Sequence, residues 1–353
     1  MIKEKISLKN YSKSDLFLTA LATVCDVMPL RGLNRNIVKK AYKEYNHKNL
    51  DFMNHFYLKR NRSNKFYYDD FGYLIGPILN SCGRLNKSNL ATKLIISSNK
   101  NEIQKISNQL IDLNTKRKEI ENNSINKINY KDLVIIEDKI IILKDLSIPE
   151  GLIGIIASRF LEKFNKTTIV LTQSGNLLKG SARSTSDINI GSIINDAVFN
   201  KILINGGGHK MAAGFSLNIK NFDKFKNFLS RVKFSNQDVK KQYVSKISTS
   251  AINRDFLTNL EKLAPYGNGN ERPIFFIENL TIHKPKIINN SHINCLLKDK
   301  KNKTLNAILF YSVNTDLGNY ILNYKKEISI FCEFKLYGVN NNKINAHIHD
   351  IVI

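Results

Sequence analysis

No apolar stretch in the 353 residues reaches the roughly 18 consecutive residues that a membrane-spanning helix needs. The first residues show no basic patch followed by an apolar one, so no signal peptide is read there. Both absences argue against a membrane or secreted protein, and a cytoplasmic location is expected. Cysteine is scarce: the 4 thiols stand at positions 25, 82, 295 and 332 and never form a C-x-x-C pair. A disulfide scaffold and a zinc ribbon are therefore not expected. No internal repeat is found. Acidic side chains are few, 30 against 54 Lys and Arg, which leaves a net charge of +24. Such an excess implies a polyanion partner, nucleic acid first. By total charge alone, a biased composition with solvated lysines explains it equally well.

What is present begins with length. A chain of 353 residues exceeds one ordinary domain, and two or three are expected. The charge is unevenly spread. Residues 1–100 carry 18 basic and 7 acidic side chains, 101–150 carry 8 and 9, and 201–250 carry 10 and 2. Clustering of this kind favours a footprint for phosphates.

Helices are expected at Asp15–Val24 and Asn34–Tyr45. Apolar residues at 103, 106, 110, 113 and 120 predict a long helix from Asn99 to about Asn129, with Asn99 and Glu102 as its N-cap box. Its length and polar faces suit a connector between domains. Strands are expected at Leu133–Glu137, Lys139–Leu143, Thr167–Leu171 and Leu177–Ala182. They are interleaved with helices at Gly151–Phe164, Ile190–Val198 and Phe222–Val232, the pattern of an α/β domain. Beyond 240 the period becomes two, as in Glu327–Leu336 and Lys343–Ile353. With turns at Asp299-Lys300-Lys301-Asn302 and Asn340-Asn341-Asn342, this predicts a small β-barrel.

Five stretches carry chemistry. Ala20 to Leu30 delivers Asp26 to the end of an apolar segment before Pro29, where a carboxylate suits a divalent metal; an isolated aspartate there is more often a cap. Phe71 to Leu85 contains Asn80, Gly83 and Arg84, the last a phosphate clamp candidate or a solvated side chain. Lys179-Gly180-Ser181-Ala182-Arg183-Ser184 places a hydroxyl and a guanidinium on one strand face, suited to a terminal phosphate and equally to an ordinary polar strand face. Gly175 to Gly180 is not a Walker loop, because Ser181 stands where the lysine is needed. Asn205 to Gly214 contains Gly206, Gly207 and Gly208 followed by His209 and Lys210, a cradle for a phosphate or nucleic-acid backbone rather than a plain tight turn with a surface histidine. Ala264-Pro265-Tyr266-Gly267-Asn268-Gly269-Asn270 reads as a rigid turn into the β region. Further on, His347 and His349 share a strand face and more often meet solvent or a ligand than a metal. Phe310, Tyr311 and Tyr337 are either base-stacking or core aromatics.

In this order the five stretches resemble the RecJ family of single-strand-specific DNA exonucleases, within the DHH phosphoesterase superfamily. The resemblance implies a multidomain α/β chain. Residues 1–98 correspond to the end of a DHH catalytic domain, and 99–129 to a connecting helix. Residues 130–235 correspond to an α/β DHH-associated DNA-binding domain, and 236–353 to an OB-like barrel. It implies 5′-to-3′ hydrolysis of single-stranded DNA with Mn²⁺ or Mg²⁺, in recombination and repair. Asp26 would be a metal ligand, with Asp26 and Arg84 catalytic. Asn80, Ser181, Arg183, Ser184, Gly207, Gly208, His209 and Lys210 would hold the strand.

Two departures qualify these expectations. An Asp-x-Asp motif and the Asp-His-His motif normally precede the equivalent of Asp26, and neither occurs in this chain. One aspartate does not hold a two-metal centre, so the chain alone is expected to be inactive. A separate chain carrying the Asp-His-His motifs would be its partner, with a helicase or single-strand-binding protein as further candidates. The second departure is Ile148-Pro149-Glu150-Gly151, where the family has Trp-His before the glycine. The alternative reading is a non-catalytic binder of single-stranded nucleic acid.

Overall fold

The computed structural model describes residues 12–45, 51–58, 66–86, 89–128, 133–232, 243–323, 326–337 and 343–352. They fall into two compact units. One comprises Met1–Asn80, Ala91–Ile111 and Gln242–Ile353, and the other Ser81–Leu90 and Asp112–Lys241. The predicted turn Asn340-Asn341-Asn342 and the side chain of Tyr337 lie outside the described residues.

The chain opens with helices. α1 (Lys13–Cys25) starts at a capping box, in which the Asp15 N–H donates to Ser12 Oγ at 3.0 Å and the Ser12 N–H returns to Asp15 Oδ2 at 3.1 Å. Leu16, Phe17, Ala20 and Leu21 form its buried face. Asp26 caps its C-terminus, and Pro29 forbids continuation. α2 (Gly32–Glu44) buries Val38 and Ala41 and leaves its lysines outward. After α3 (Asp51–Leu58), a short helix α4 (Tyr68–Asp70) passes through a π turn, Phe71–Ile75, into α5 (Gly76–Arg84). A Cβ at Gly76 would stand 2.5 Å from Cys25 Sγ, so only glycine lets this helix reach the end of α1. α6 (Asn89–Ile96) leads to the long helix α7 (Lys100–Lys127), whose first residues belong to the first unit and the rest to the second. Asn99 caps α7 as expected, its Oδ1 accepting from the Asn101 and Glu102 N–H groups. The other half of the expected box is absent, because the Glu102 carboxylate takes the Ser97 hydroxyl.

The second unit is built on one sheet of order β1-β2-β3-β4-β6-β5. Its strands are β1 (Val134–Ile136), β2 (Ile140–Lys144), β3 (Thr167–Ser174), β4 (Leu177–Arg183), β5 (Asn205–His209) and β6 (Ala212–Asn218). Only β2 and β3 are parallel, joined by the crossover helix α8 (Ile153–Phe164). Val170 and α8 residues Ile153, Ile156 and Phe160 form a core on one sheet face. On the other face, Ile169 and Leu171 meet α9 (Ile190–Phe199) and α10 (Phe222–Leu229). The glycine-rich stretch expected to form a cradle is strand β5, paired antiparallel with β6.

The remaining residues return to the first unit. β7 (Ser245–Lys246) and α11 (Arg254–Glu261) precede β8 (Phe275–Ile288), β9 (His292–Asp299) and β10 (Thr304–Leu309). α12 (Asp316–Asn323), β11 (Ile328–Tyr337) and β12 (Lys343–Val352) follow. Pairing runs from β8 through β9, β10, β12 and β11 and returns to β8. Ile328, Ile330, Cys332 and Phe334 alternate into the core, as their period of two predicts. Asp299 Oδ1 accepts from the N–H groups of Lys301 and Lys303, which closes the predicted Asp299–Asn302 turn. The Pro265–Asn270 stretch is more than a rigid turn, because it docks on the segment after α1. Asn268 Nδ2 donates to Val27 O at 2.7 Å, the Leu30 N–H to Asn268 O at 2.6 Å, and Arg31 Nε to Gly269 O at 2.8 Å.

Candidate nucleic-acid interface

Arg84, Ser181 and Arg183 all lie in the second unit. Along β4, Leu178, Gly180 and Ala182 turn into the core, so Lys179, Ser181 and Arg183 share the opposite face. Arg183 Nη1 donates to Ser181 Oγ at 3.2 Å and to the Ala182 carbonyl at 2.9 Å. These bonds fix the guanidinium beside the hydroxyl. Gly154, in the first turn of α8, lies against the pair: a Cβ there would stand 3.1 Å from Arg183 Nη2 and 3.2 Å from Ser181 Oγ. Arg84, the last residue of α5, donates from Nη1 to the Gly151 carbonyl at 3.1 Å. A Cβ at Gly151 would approach Arg84 O to 2.3 Å, so glycine is required where the two segments meet.

Burial lowers the basicity of the Arg183 guanidinium, and the positive charge of Arg84 lowers it further. Two guanidinium groups that repel one another, one of them partly desolvated, are stabilised by an anion between them. Arg84 is exposed, and Arg183 is half-buried.

The sheet continues this surface. Ser181 pairs with Gly214, which pairs with Gly207; Arg183 pairs with Ala212, which pairs with His209. These residues lie on one face in two rows across three strands. A Cβ at Gly207 or Gly214 would meet no atom nearer than 3.9 Å. Protein packing therefore does not require these glycines, and the bare backbone is open to close approach by a ligand. Gly208 is different: its Cβ would lie 2.2 Å from the Ala212 carbonyl, so it serves the packing of the hairpin. His209 Nδ1 accepts from the Met211 N–H at 3.3 Å, which places the proton of the neutral ring on Nε2. His209 and Lys210 are exposed at the tip of the β5–β6 hairpin. The Lys210 carbonyl accepts from the Ile190 N–H, which anchors that tip to α9.

Ser184 does not join this surface. It is 0 % exposed, donates from Oγ to the Ile188 carbonyl at 2.8 Å, and lies 3.0 Å from Thr167 Oγ1. Its N–H binds the Met211 carbonyl, so it fixes the hairpin tip from within. Asn80 is exposed on α5, one turn before Arg84. Gly154, Ala212 and Gly214 join the candidate site only through the fold. Their one sequence signal is a small residue at each strand or helix position beside a predicted contact.

Asp26 belongs to the other unit. It is exposed, and its N–H closes α1 onto the Ala22 carbonyl. Burial and the Asp26 carboxylate push the neighbouring Cys25 thiol up to about 11, so it stays protonated. Among the described residues no three His, Cys, Asp or Glu side chains are grouped to hold a metal ion. A hard divalent cation takes about six oxygen ligands or more, and the donor set around Asp26 does not fit that need. His347 and His349 turn to Glu333 on the adjacent strand, at 3.4 and 3.5 Å. Phe310 is 49 % exposed, with the rings of His292 and His347 set edge-on to it at 5.2 and 5.0 Å. Tyr311 packs against His292.

A DHHA1 domain model matches residues 137–233, and a RecJ OB domain model matches 245–350. The single-stranded-DNA-specific exonuclease RecJ of Haemophilus influenzae is 25 % identical over 342 residues, covering 90 % of this chain and 59 % of the relative. That of Escherichia coli is 32 % identical over 232 residues, covering 61 % and 39 %. The crystal structure of RecJ in complex with Mg²⁺ from Thermus thermophilus superposes with a TM-score of 0.77 at 22 % identity. It covers 97 % of this chain and 52 % of that one, and at this identity it shows a shared fold. The chain thus spans about half the length of the relatives it matches. The chain carries a DHHA1 domain and a RecJ OB domain and is similar to RecJ along most of its length.

Proposed function

We propose that this chain is the strand-gripping part of a RecJ-type exonuclease and holds single-stranded DNA by its 5′ phosphate. The observation that carries this reading is the juxtaposition of Arg84, Ser181 and Arg183 beside the bare strip of Gly207 and Gly214. Two guanidinium groups and a hydroxyl suit the three oxygens of a terminal phosphate. The strip lets the sugar-phosphate backbone lie against the sheet, with His209 Nε2 and Lys210 as further donors. Phe310, held edge-on by two histidines, offers a face on which a base stacks.

The relatives are named exonucleases, and RecJ from Thermus thermophilus was crystallised with Mg²⁺ and with Mn²⁺. In this chain the described residues do not group around Asp26 as metal ligands. Hydrolysis is assigned to the assembly in which Asp-His-His motifs, absent from these 353 residues, complete the centre. The same observation favours a second reading, a strand binder with no catalytic role. A complementation assay separates the two: addition of the partner domain restores 5′-to-3′ digestion under the first reading only.

The grip itself is tested by titrating fluorescent single-stranded and duplex oligonucleotides. Preferred binding of the single strand, weakening steeply with salt, is expected. Arg183→Ala and Arg84→Ala each weaken it about tenfold, the worth of one charge-assisted hydrogen bond. Salt-independent binding, or wild-type affinity in both variants, contradicts the reading.

A further inference from the structure

Glu121 on α7 is 4 % exposed, and each of its carboxylate oxygens takes a different arginine. Oε2 accepts from Arg117 Nη1 at 2.9 Å within α7, and Oε1 accepts from Arg159 Nε at 2.9 Å on α8. Arg117 also donates from Nε to the buried Asn114, and Arg159 Nη1 reaches Glu162 at 3.1 Å. Around this network the two helices meet through apolar side chains: Ile120 and Ile125 of α7 pack against the cluster of Ile153, Ile156 and Phe160 on α8. Apolar contact sets how closely two helices approach, but it is non-directional and permits sliding and rotation. A carboxylate shared between two guanidinium groups is directional and fixes the axial and rotational setting of α8.

That setting matters at the start of the same helix. Gly151 and Gly154 lie eight and five residues before Arg159. Gly151 accepts the Arg84 guanidinium, and Gly154 lies under Arg183 and Ser181 with almost no clearance. A small axial shift of α8 therefore moves one arginine's seat and alters the spacing of both guanidinium groups. We propose that Glu121 is a positioning residue for the phosphate grip, acting through Arg159 and α8 on the separation of Arg84 and Arg183. The proposal rests on the reading of those two arginines as that grip.

The test titrates the full chain, in EDTA, with 5′-phosphorylated and 5′-hydroxyl forms of one single-stranded oligonucleotide. Glu121→Gln is expected to lower the preference for the phosphorylated strand about tenfold, while affinity for the hydroxyl strand stays within about twofold. Arg159→Gln removes the link from Glu121 to α8 together with the rim contact to Glu162, leaves Arg117 on Glu121, and gives the same loss, which covers the case where Glu121→Gln does not fold. Glu162→Gln, at the exposed rim of the network, leaves the preference unchanged. An unchanged preference in Arg159→Gln, or an equal loss with both strands, overturns the proposal. A wild-type chain that shows no preference overturns the reading of the grip itself.

Discussion

At Gly151 the cost of a single methyl group is legible in the structure. A Cβ there would lie 2.3 Å from the Arg84 carbonyl, and backbone does not give way as a flexible side chain does. Gly151→Ala should destabilise the second unit by about 1–3 kcal/mol, as overpacking does, measured by urea unfolding. Val27 presents the reverse case. It is β-branched, 64 % exposed, and held at φ 54°. Left-handed backbone costs a non-glycine residue about 1–2 kcal/mol, and little packing is lost on truncation. Glycine brings its own entropic cost of about 0.5–1 kcal/mol. Val27→Gly should therefore raise the unfolding free energy by roughly 0.5–1 kcal/mol. Asn268→Ala, which leaves the Val27 carbonyl without the Asn268 amide, should lower it by about 1 kcal/mol. At this scale the sequence showed which residue types stood near one another, but not which way each pointed. Ser184 follows Arg183 directly and shares its motif, yet strand alternation turns it inward onto Thr167. Gly207 and Gly208 are adjacent and alike in sequence, and only the pairing with β6 separates an open glycine from a packing one.

Among elements, periodic segments were the most legible. α1, α7, α8 and the alternation in β11 follow from apolar spacing, because each buries one face against a core. β5 did not follow, since Asn205-Gly206-Gly207-Gly208-His209 has no apolar period and glycine is unfavourable in strands. Its strand is imposed by β6, whose Ala213, Phe215 and Leu217 supply the buried face. α12 was also missed. Gly318 brings it against the Ser312 carbonyl, a close contact without a local signal. Between β11 and β12 a carboxylate is strongly perturbed. Burial alone would raise the Glu333 value, yet His347, His349 and Lys335 outweigh it and hold the carboxyl well below its ordinary 4.5. A folded value below the unfolded one stabilises the fold fully above the ordinary range. That contribution is lost as pH falls through the lowered folded value. Unfolding titrations between neutral and acid pH should show a shallower loss of stability for Glu333→Gln than for the unaltered chain.

For the whole molecule, the excess of +24 gains meaning from where the candidate contacts lie. Arg84, Lys179, Arg183, His209 and Lys210 belong to one unit, on or beside one sheet. Binding of a single strand should weaken linearly in log–log form with added salt, with a slope of about −0.7 for each phosphate neutralised. Arg183→Ala should reduce that slope by about one such contact. Three of the five stretches singled out in the sequence, those of Arg84, Ser181–Arg183 and Gly207–Lys210, fall in this unit, whereas those of Asp26 and Pro265 fall in the other. Among the described residues no ligands group around Asp26. The most direct test of a grip without its own metal centre is a single-turnover assay of this chain with Mn²⁺ and a labelled 5′-phosphorylated single strand. Salt-sensitive binding with no release of nucleotides is expected; digestion by the chain alone would overturn the assignment.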